Sequence, residues 1–497
     1  MNKTMTRLVS GVMFSALLLV SSAARAAAAD ITVFGSGMPA SSTSLPAGEF
    51  RSSLESLPDA ERTRAVQWLQ SIEFTSLDLD AMKLDSQGGV YYADHFSVDV
   101  ADHAAAGQPA TQGGQTLTAA AVLKLHSNPG APRAIFIDFN GGEISATAWN
   151  QTAGVTAWNA GPFDMDSRPG SFNAPEIAAM AEIWQRVAED FAPFNVDVTT
   201  EAPGPMDAKT VHIMITRSVD RNRQSLPEPA SGSVAYMNIT GFSLAGYYSP
   251  ALVYYNNLPS AAAIAEASSH ATGHLYGLSH DSNPASGSQG RSSVSWSPIM
   301  GRGPFSDVTR WSKGDYRGGI NPQNDLGILV GALDRRRDDH DDSRFGNGTT
   351  LQADTLGHVT ASTPATDPGN QYPANKGVIE AHNDIDVFVF ESAEGLVDLT
   401  ASPARPGSGS IGLAGANLAV QLTLFDSQGM KVAQQKPLDG AGSGIRAHVS
   451  AGRYALEVSV AGNSADLPAA DGSVGQYFIN GTIPAKHAPN RVAVSAR

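Results

Sequence analysis

The sequence predicts an α/β layer domain followed by an all-β sandwich. Between about residues 134 and 276, apolar strand patterns interleave with amphipathic helices, as in a sheet covered by helical layers. Beyond about residue 350 the pattern changes to two-residue alternation interrupted by turns, which reads as a sandwich. A charged, glycine-ended joint, LDRRRDDHDDSRFGNGT at 333–349, separates the two. The 497 residues leave room for two or three domains.

At the start, Lys3 and Arg7 precede an apolar run from Val9 to Val20, and Ala24-Arg25-Ala26 closes it. Residues 1–26 therefore read as a signal peptide, too short in its apolar part to span a bilayer. An exported protein without membrane insertion is expected, either extracellular or periplasmic. Removing this segment takes Lys3, Arg7 and Arg25 with it, so the net charge falls from −15 to −18. A surface that acidic repels phosphate backbones and excludes nucleic acid as a partner. There is no cysteine, so disulfides, thiolate metal sites and a cysteine-based latency switch are all excluded.

Residues 27–116 form an N-terminal region. It opens Ala/Ser/Gly/Pro-rich, continues with a helix in RTRAVQWLQSIEF (62–74) and a strand in GGVYYADHF (88–96), and ends in AAAGQPATQGGQT (104–116). A compact unit between two joints is the layout of a propeptide and equally that of a small permanent domain. Lacking a thiol, it would need another group to block a metal.

The main domain spans 117–335. AIFIDF (134–139) is a buried-strand pattern. In APEIAAMAEIWQRVAEDF (174–191), Ile177, Met180, Ala181, Trp184, Val187, Ala188 and Phe191 share one helical stripe. Asn173 is the expected N-cap, and Pro175 suits the first turn. FNVDVTT, TVHIMIT, SGSVAYMNI and PALVYYNN read as strands, and a second helix runs from about Ala261 to Tyr276 behind Ser260. Past a linker at 336–349, the sandwich at 350–484 has VFVF (387–390), AVQLTLF (419–425), YALEVSV (454–460) and QYFI (476–479). DSQG and SAGR are its turns, and a tail follows at 485–497.

The chemistry lies in HATGHLYGLSHD, residues 270–281. His270 and His274 are one helical turn apart, so both imidazoles reach one ion. Gly277 can turn left-handed and end the helix, and His280 then returns as a third ligand. Three nitrogens on zinc leave a fourth position open, the arrangement of a catalytic site.

This H-x-x-x-H-x-x-G-x-x-H-D pattern resembles the metzincin zinc peptidases, in the reprolysin-like form with aspartate after the third histidine. Met300, in SWSPIMGRG, matches the methionine turn of that family. FIDFNGG, the Trp184 helix, PALVYYNNLPSAAAIAEASSH and WSKGDYRGGINPQNDL resemble bacterial secreted members. The resemblance covers about residues 130–330. It implies a twisted mixed sheet above an active-site helix, and peptide or protein substrates cleaved with zinc as cofactor. SGSVAYMNI (231–239) would be the edge strand that pairs with substrate. Asp281 would be a buried anchor, not a ligand, and residues from Gly301 to Phe305 would line the pocket beyond the scissile bond.

The family's general base follows the first histidine; this chain has Ala271 there. A methyl group accepts no proton, so peptide hydrolysis should be inactivated or strongly impaired, by about 10²–10⁴ in rate. Metal binding should survive, because the missing glutamate is not a ligand. Glu266 lies four residues before His270 on the metal-facing stripe, a turn too far back to substitute. Both an introduced inactivating change and a natural pseudo-enzyme fit this pattern. The competing function is a zinc-containing peptide- or surface-binding protein, and a third is a purely structural zinc with four protein ligands.

GVIEAHNDIDVFVF, NLAVQLTLFDSQG and AGRYALEVSV resemble the bacterial pre-peptidase C-terminal domain, which implies a role in substrate docking, secretion or solubility. Asn383, Asp384 and Asp386 cluster before a strand and form a candidate calcium site. DDHDD (338–342) reads as a solvated joint instead. The oligomeric state is left open.

Overall fold

The computed structural model describes residues 31–96, 111–112, 115–204, 208–240, 245–281, 296–301, 308–316, 319–340, 354–355, 375–404, 416–437, 442–461 and 472–485. The signal peptide at 1–26, residues 341–349 of the joint, pocket residues 302–305 and the tail from 486 lie outside these. No helix among the described residues is long and apolar enough to cross a membrane.

The chain is mixed α/β with a large β-rich C-terminal part. Its main sheet has the strands Met82–Leu84 (β1), Val90–Asp94 (β2), Ala134–Asp138 (β3), Asp197–Thr199 (β4), Thr210–Thr216 (β5), Ser233–Tyr236 (β6) and Ala251–Tyr254 (β7), in the spatial order β4-β3-β5-β7-β6-β2-β1. Pairings from β4 to β7 are parallel; those from β7 to β1 are antiparallel. The parallel strands are almost wholly apolar, as sheets covered on both faces require.

One expectation fails. The strand in SGSVAYMNI is not an edge, because β2 of the N-terminal region pairs along it, Ser233 opposite Asp94 and Tyr236 opposite Tyr91. The N-terminal region is therefore continuous with the main sheet. Its helix Asp59–Leu69 (α1) is held there by Trp68, whose indole N–H donates to Met237 O at 2.8 Å.

Ala174–Asp190 (α2) starts with a reciprocal cap between Asn173 and Glu176, two orphan donors satisfied at once. Ala261–Leu275 (α3) starts at Ser260, whose hydroxyl accepts from Ala263 N. It ends in a left-handed turn: Gly277 has φ +98°, its N–H reaches His274 O, and Leu278 N–H reaches Gly273 O. This Schellman pattern satisfies the last carbonyls and reverses the chain. Trp296–Pro298 (β8) and Val308–Arg310 (β9) form a small parallel pair, and Asp325–Leu333 (α4) completes the domain.

The sandwich contains Asp354–Thr355 (β10), Lys376–Ile379 (β11), Ile385–Ser392 (β12), Gly395–Pro403 (β13), Val420–Asp426 (β14), Lys431–Gln435 (β15), Ser443–Val449 (β16), Gly452–Val460 (β17) and Gly475–Thr482 (β18). Its sheets run β10-β12-β17-β14-β15 and β11-β18-β13-β16. Leu399, Val420, Leu422, Leu456 and Ile479 fill the space between them.

The two parts meet over buried charge. Glu189, at the end of α2, is fully buried and accepts from Gln476 N and Nε2 of the sandwich at 3.0 and 2.8 Å. Burial pushes its carboxyl up to about 8, against those two donors. Folded protein thus holds a proton that unfolded protein releases above about pH 4.5. Stability should fall as pH rises from there to about 8. Asp190, raised to about 6 by burial, adds to the lower part of this window. Glu189→Gln should flatten the slope, as measured by denaturant unfolding at pH 5, 6, 7 and 8; an unchanged slope would show that Glu189 is ionised throughout.

A candidate metal centre

The Schellman turn brings the three histidines together. His270 Nε2 lies 3.0 Å from His274 Nε2 and 3.2 Å from His280 Nε2. A fourth group joins them that the sequence analysis did not single out: Asp94, at the end of β2. Its carboxylate oxygens stand 3.1 Å from His280 Nε2, 3.3 Å from His274 Nε2 and 3.6 Å from His270 Nε2. All four residues are buried.

These spacings fit zinc. A tetrahedral ion with bonds of about 2.0–2.1 Å separates its ligands by roughly 3.3 Å. Tautomers point the same way. His270 Nδ1 donates to Ile299 O at 2.9 Å and His274 Nδ1 donates to Leu278 O at 2.7 Å. With those protons placed, both Nε2 atoms carry lone pairs directed at each other. Asp94 Oδ2 is buried without a hydrogen-bond partner. A cation between these atoms satisfies all of them.

Charge on the buried groups is shifted in both directions. Burial drives His270 down to about 3, with Asp94 pulling the other way. Burial opposes charge on Asp94, but His274, His270 and His280 override it and hold the carboxyl well below its ordinary range. His280 is pulled upward despite burial by Asp78 and Asp94. Asp78 accepts from His280 N, Tyr92 Oη and Thr75 N. Tyr92 stacks on the His274 ring at 3.9 Å. Strand β2 and the short helical turn before β1 thus supply one face of the centre.

Beneath it, Met300 is fully buried against α3. The closeness is set by Gly273, where a Cβ would fall 2.4 Å from Met300 Sδ. Asp281 is buried and outside the four-residue group, as an anchor would be. Its backbone N–H donates to Met300 O, and its carbonyl accepts from Ile320 N. Burial and the neighbouring Asp325 push Asp281 well up, and burial raises Asp325 to about 8. Asn321 and Gln323 hold the third-ligand loop: Asn321 Nδ2 donates to His280 O, and Gln323 Oε1 accepts from Ser279 N. Ala271 is fully buried. Glu266 points elsewhere, its Oε1 accepting from Thr309 Oγ1 at 3.2 Å.

A second acidic group forms in the C-terminal part. Asp338, Glu380 and Asp384 come together, as do Asp338, Asp339 and Asp386. The joint at DDHDD is therefore not merely solvated: two of its aspartates face the sandwich. Asn383, a candidate ligand from the sequence, is exposed in the adjoining turn. Glu380 Oε1 and Asp386 Oδ1 are buried without hydrogen-bond partners. Burial and neighbouring carboxylates push Glu380 up to about 11; burial, against a hydrogen bond from Tyr477, pushes Asp386 up to about 9.

No protein-family profile and no curated protein matches the chain. Among solved structures, the pre-peptidase C-terminal domain of a collagenase from Bacillus anthracis is similar to 27% of this chain and 100% of its own length, at 16% sequence identity and a TM-score of 0.18.

The Gly273 contact is open to test. Alanine gains about 1 kcal/mol of helix propensity over glycine, but its methyl displaces Met300 from a filled core, which typically costs about 1–3 kcal/mol. Gly273→Ala should lower the denaturation midpoint; an unchanged or raised midpoint would mean that Met300 moves aside freely.

Proposed function

We propose that the chain is a secreted zinc-dependent metalloendopeptidase of the metzincin type, in a latent form, with proton transfer disabled at Ala271. One observation carries this reading: three imidazole nitrogens and a carboxylate from the N-terminal region, all buried, converge within 4.8 Å of one another. Zinc there supplies a Lewis acid that polarises a peptide carbonyl and makes water acidic.

In the reading, His270, His274 and His280 hold the ion, and Asp94 fills the position a substrate would need. Strand β2 also occupies the backbone of β6, where an extended peptide would pair. Latency and substrate binding therefore use the same two features, a β6 partner and an oxygen at the metal. Cleavage after Asp94 would free both. Ala271 then leaves no side chain at the base position to take a proton from water or pass it to the leaving amine.

The test compares the parent chain, Ala271→Glu and Ala271→Glu/Asp94→Ala for metal content and peptide-library cleavage. All three should retain zinc. Ala271→Glu should be silent until its N-terminal region is cut, then exceed the similarly cut parent by about 10²–10⁴. The double variant loses the carboxylate at the metal but keeps β2 on β6, so it too should need cutting for full activity. A zinc-loaded, cut Ala271→Glu protein that remains inert sinks the proposal. Ala271 itself favours a second reading, a pseudo-protease that holds peptide on β6; peptide affinity without turnover in every variant would support it.

Calcium is assigned to the second acidic group. Asp338, Asp339, Glu380, Asp384 and Asp386 offer only hard oxygen donors, the ligand set calcium takes. Calcium should raise the unfolding temperature of the parent chain, whereas Asp386→Asn should lose most of that rise. Equal melting with calcium and with chelator would remove calcium from the account.

A further inference from the structure

Two chains of hydrogen bonds lead from the sandwich to His270, and both start at Asn417. In the first, Arg310 Nε donates to Asn417 O at 2.8 Å, Ile299 N donates to Arg310 O at 2.8 Å, and His270 Nδ1 donates to Ile299 O at 2.9 Å. In the second, Asn417 Nδ2 donates to Asp190 Oδ1 at 2.9 Å, and Ser269 Oγ donates to Asp190 Oδ2 at 2.5 Å. Ser269 directly precedes His270. Every side chain in these chains is buried, with Asn417 1% and Arg310 1% exposed.

The surrounding contact is close. Trp296, Val308 and Tyr316 of the main domain share one apolar cluster with Ala416, Ala419 and Ala461 of the sandwich. A Cβ on Gly472 would fall 2.0 Å from Trp311 O. Trp311 Nε1 in turn donates to Asp190 O at 2.7 Å. Segments of both domains are thus in direct contact here.

We propose that Asn417 is a positioning residue for His270, and that the sandwich is consequently a fixed part of the metal centre. This rests on the reading that the four-residue group holds zinc. An imidazole's free nitrogen is aimed by the hydrogen bond on its other nitrogen. Ile299 O makes that bond for His270, and Arg310, itself gripped by Asn417, holds Ile299 in place. Asp190, gripped by the Asn417 side-chain amide whereas Arg310 bonds the backbone carbonyl of the same residue, holds the helix at Ser269. Asn417 therefore constrains the ring through its acceptor and the backbone through its neighbour.

The experiment uses the full chain with ¹⁵N-labelled histidine, comparing the parent with Asn417→Ala, Ser269→Ala and the remote sandwich variant Arg446→Ala. Two readouts are taken: Co²⁺ affinity with its visible d–d spectrum, and exchange of the His270 and His274 Nδ1 protons in metal-free protein. Asn417→Ala should weaken Co²⁺ binding about 10–100-fold, shift the d–d bands and speed exchange at His270 while His274, held by Leu278 O, keeps its rate. Both variants break the second chain and leave the bond from Arg310 to the backbone carbonyl of residue 417, so Ser269→Ala should move the same readouts to a similar extent; it carries the test if Asn417→Ala does not fold. Arg446→Ala should match the parent. Unchanged Co²⁺ spectrum and unchanged His270 exchange in both joint variants would overturn the proposal. If the parent binds no Co²⁺, the zinc reading fails, and the His270 exchange comparison alone decides whether Asn417 positions the ring.

Discussion

Three imidazole Nε2 atoms and a carboxylate crowd one buried point, and the groups around them hold the rings in place. The backbone carbonyls of Ile299 and Leu278 take the Nδ1 protons of His270 and His274, and Asp78 Oδ1 stands 3.1 Å from His280 Nδ1. Those acceptors come from three separated segments, so the correct tautomers form only once the tertiary fold is complete. A divalent cation at the convergence point turns the crowding into coordination. Metal affinity and folding free energy are then coupled, as in any site absent from the unfolded chain.

Support from one side only would leave the fourth direction open. The N-terminal region closes it with a strand whose backbone pairs along β6 and whose last residue, Asp94, reaches the same point. The tether matters energetically. A carboxylate held on a bonded strand acts at an effective concentration about millimolar or higher, without new contacts, whereas a free peptide pays its own association entropy. The same carboxylate on a severed segment loses that advantage, which makes cutting between Asp94 and the main domain a one-way event.

Much of this was legible locally. The caps at Asn173 and Ser260, the stripe through Trp184, the left-handed Gly277 and the three histidines are all read from neighbours within one or two turns, and the structure places each where its local chemistry requires. Asp94 was not legible in that way. GGVYYADHF reads as a strand, but nothing local names its partner, 140 residues later. One signal was available: a carboxylate ending an otherwise apolar strand needs a buried partner or a cation. Gly273 carried a similar signal, since a glycine inside a helix usually marks a close approach. Asp338 and Asp339 looked solvated because their partners, Asp384 and Asp386, lie more than 40 residues on. Asn417 had no sequence signal at all; its role comes only from docking of the sandwich.

Ala271 has a different weight in the two forms of the protein. If a metal is held with Asp94 as a ligand, as proposed, no water awaits activation there, and a fully buried alanine on a helix costs nothing. A glutamate at the same position would start from that buried site, one residue from His270 and close to a second carboxylate. Like charges in a low-dielectric pocket repel strongly. Its natural relief is either a shared proton or departure of Asp94. Under the proposed function, a general base at 271 and the Asp94 carboxylate would compete for one pocket, so the residue at 271 would set how firmly the N-terminal region is held as well as whether water can be deprotonated. On that reading alanine favours the closed form on both counts.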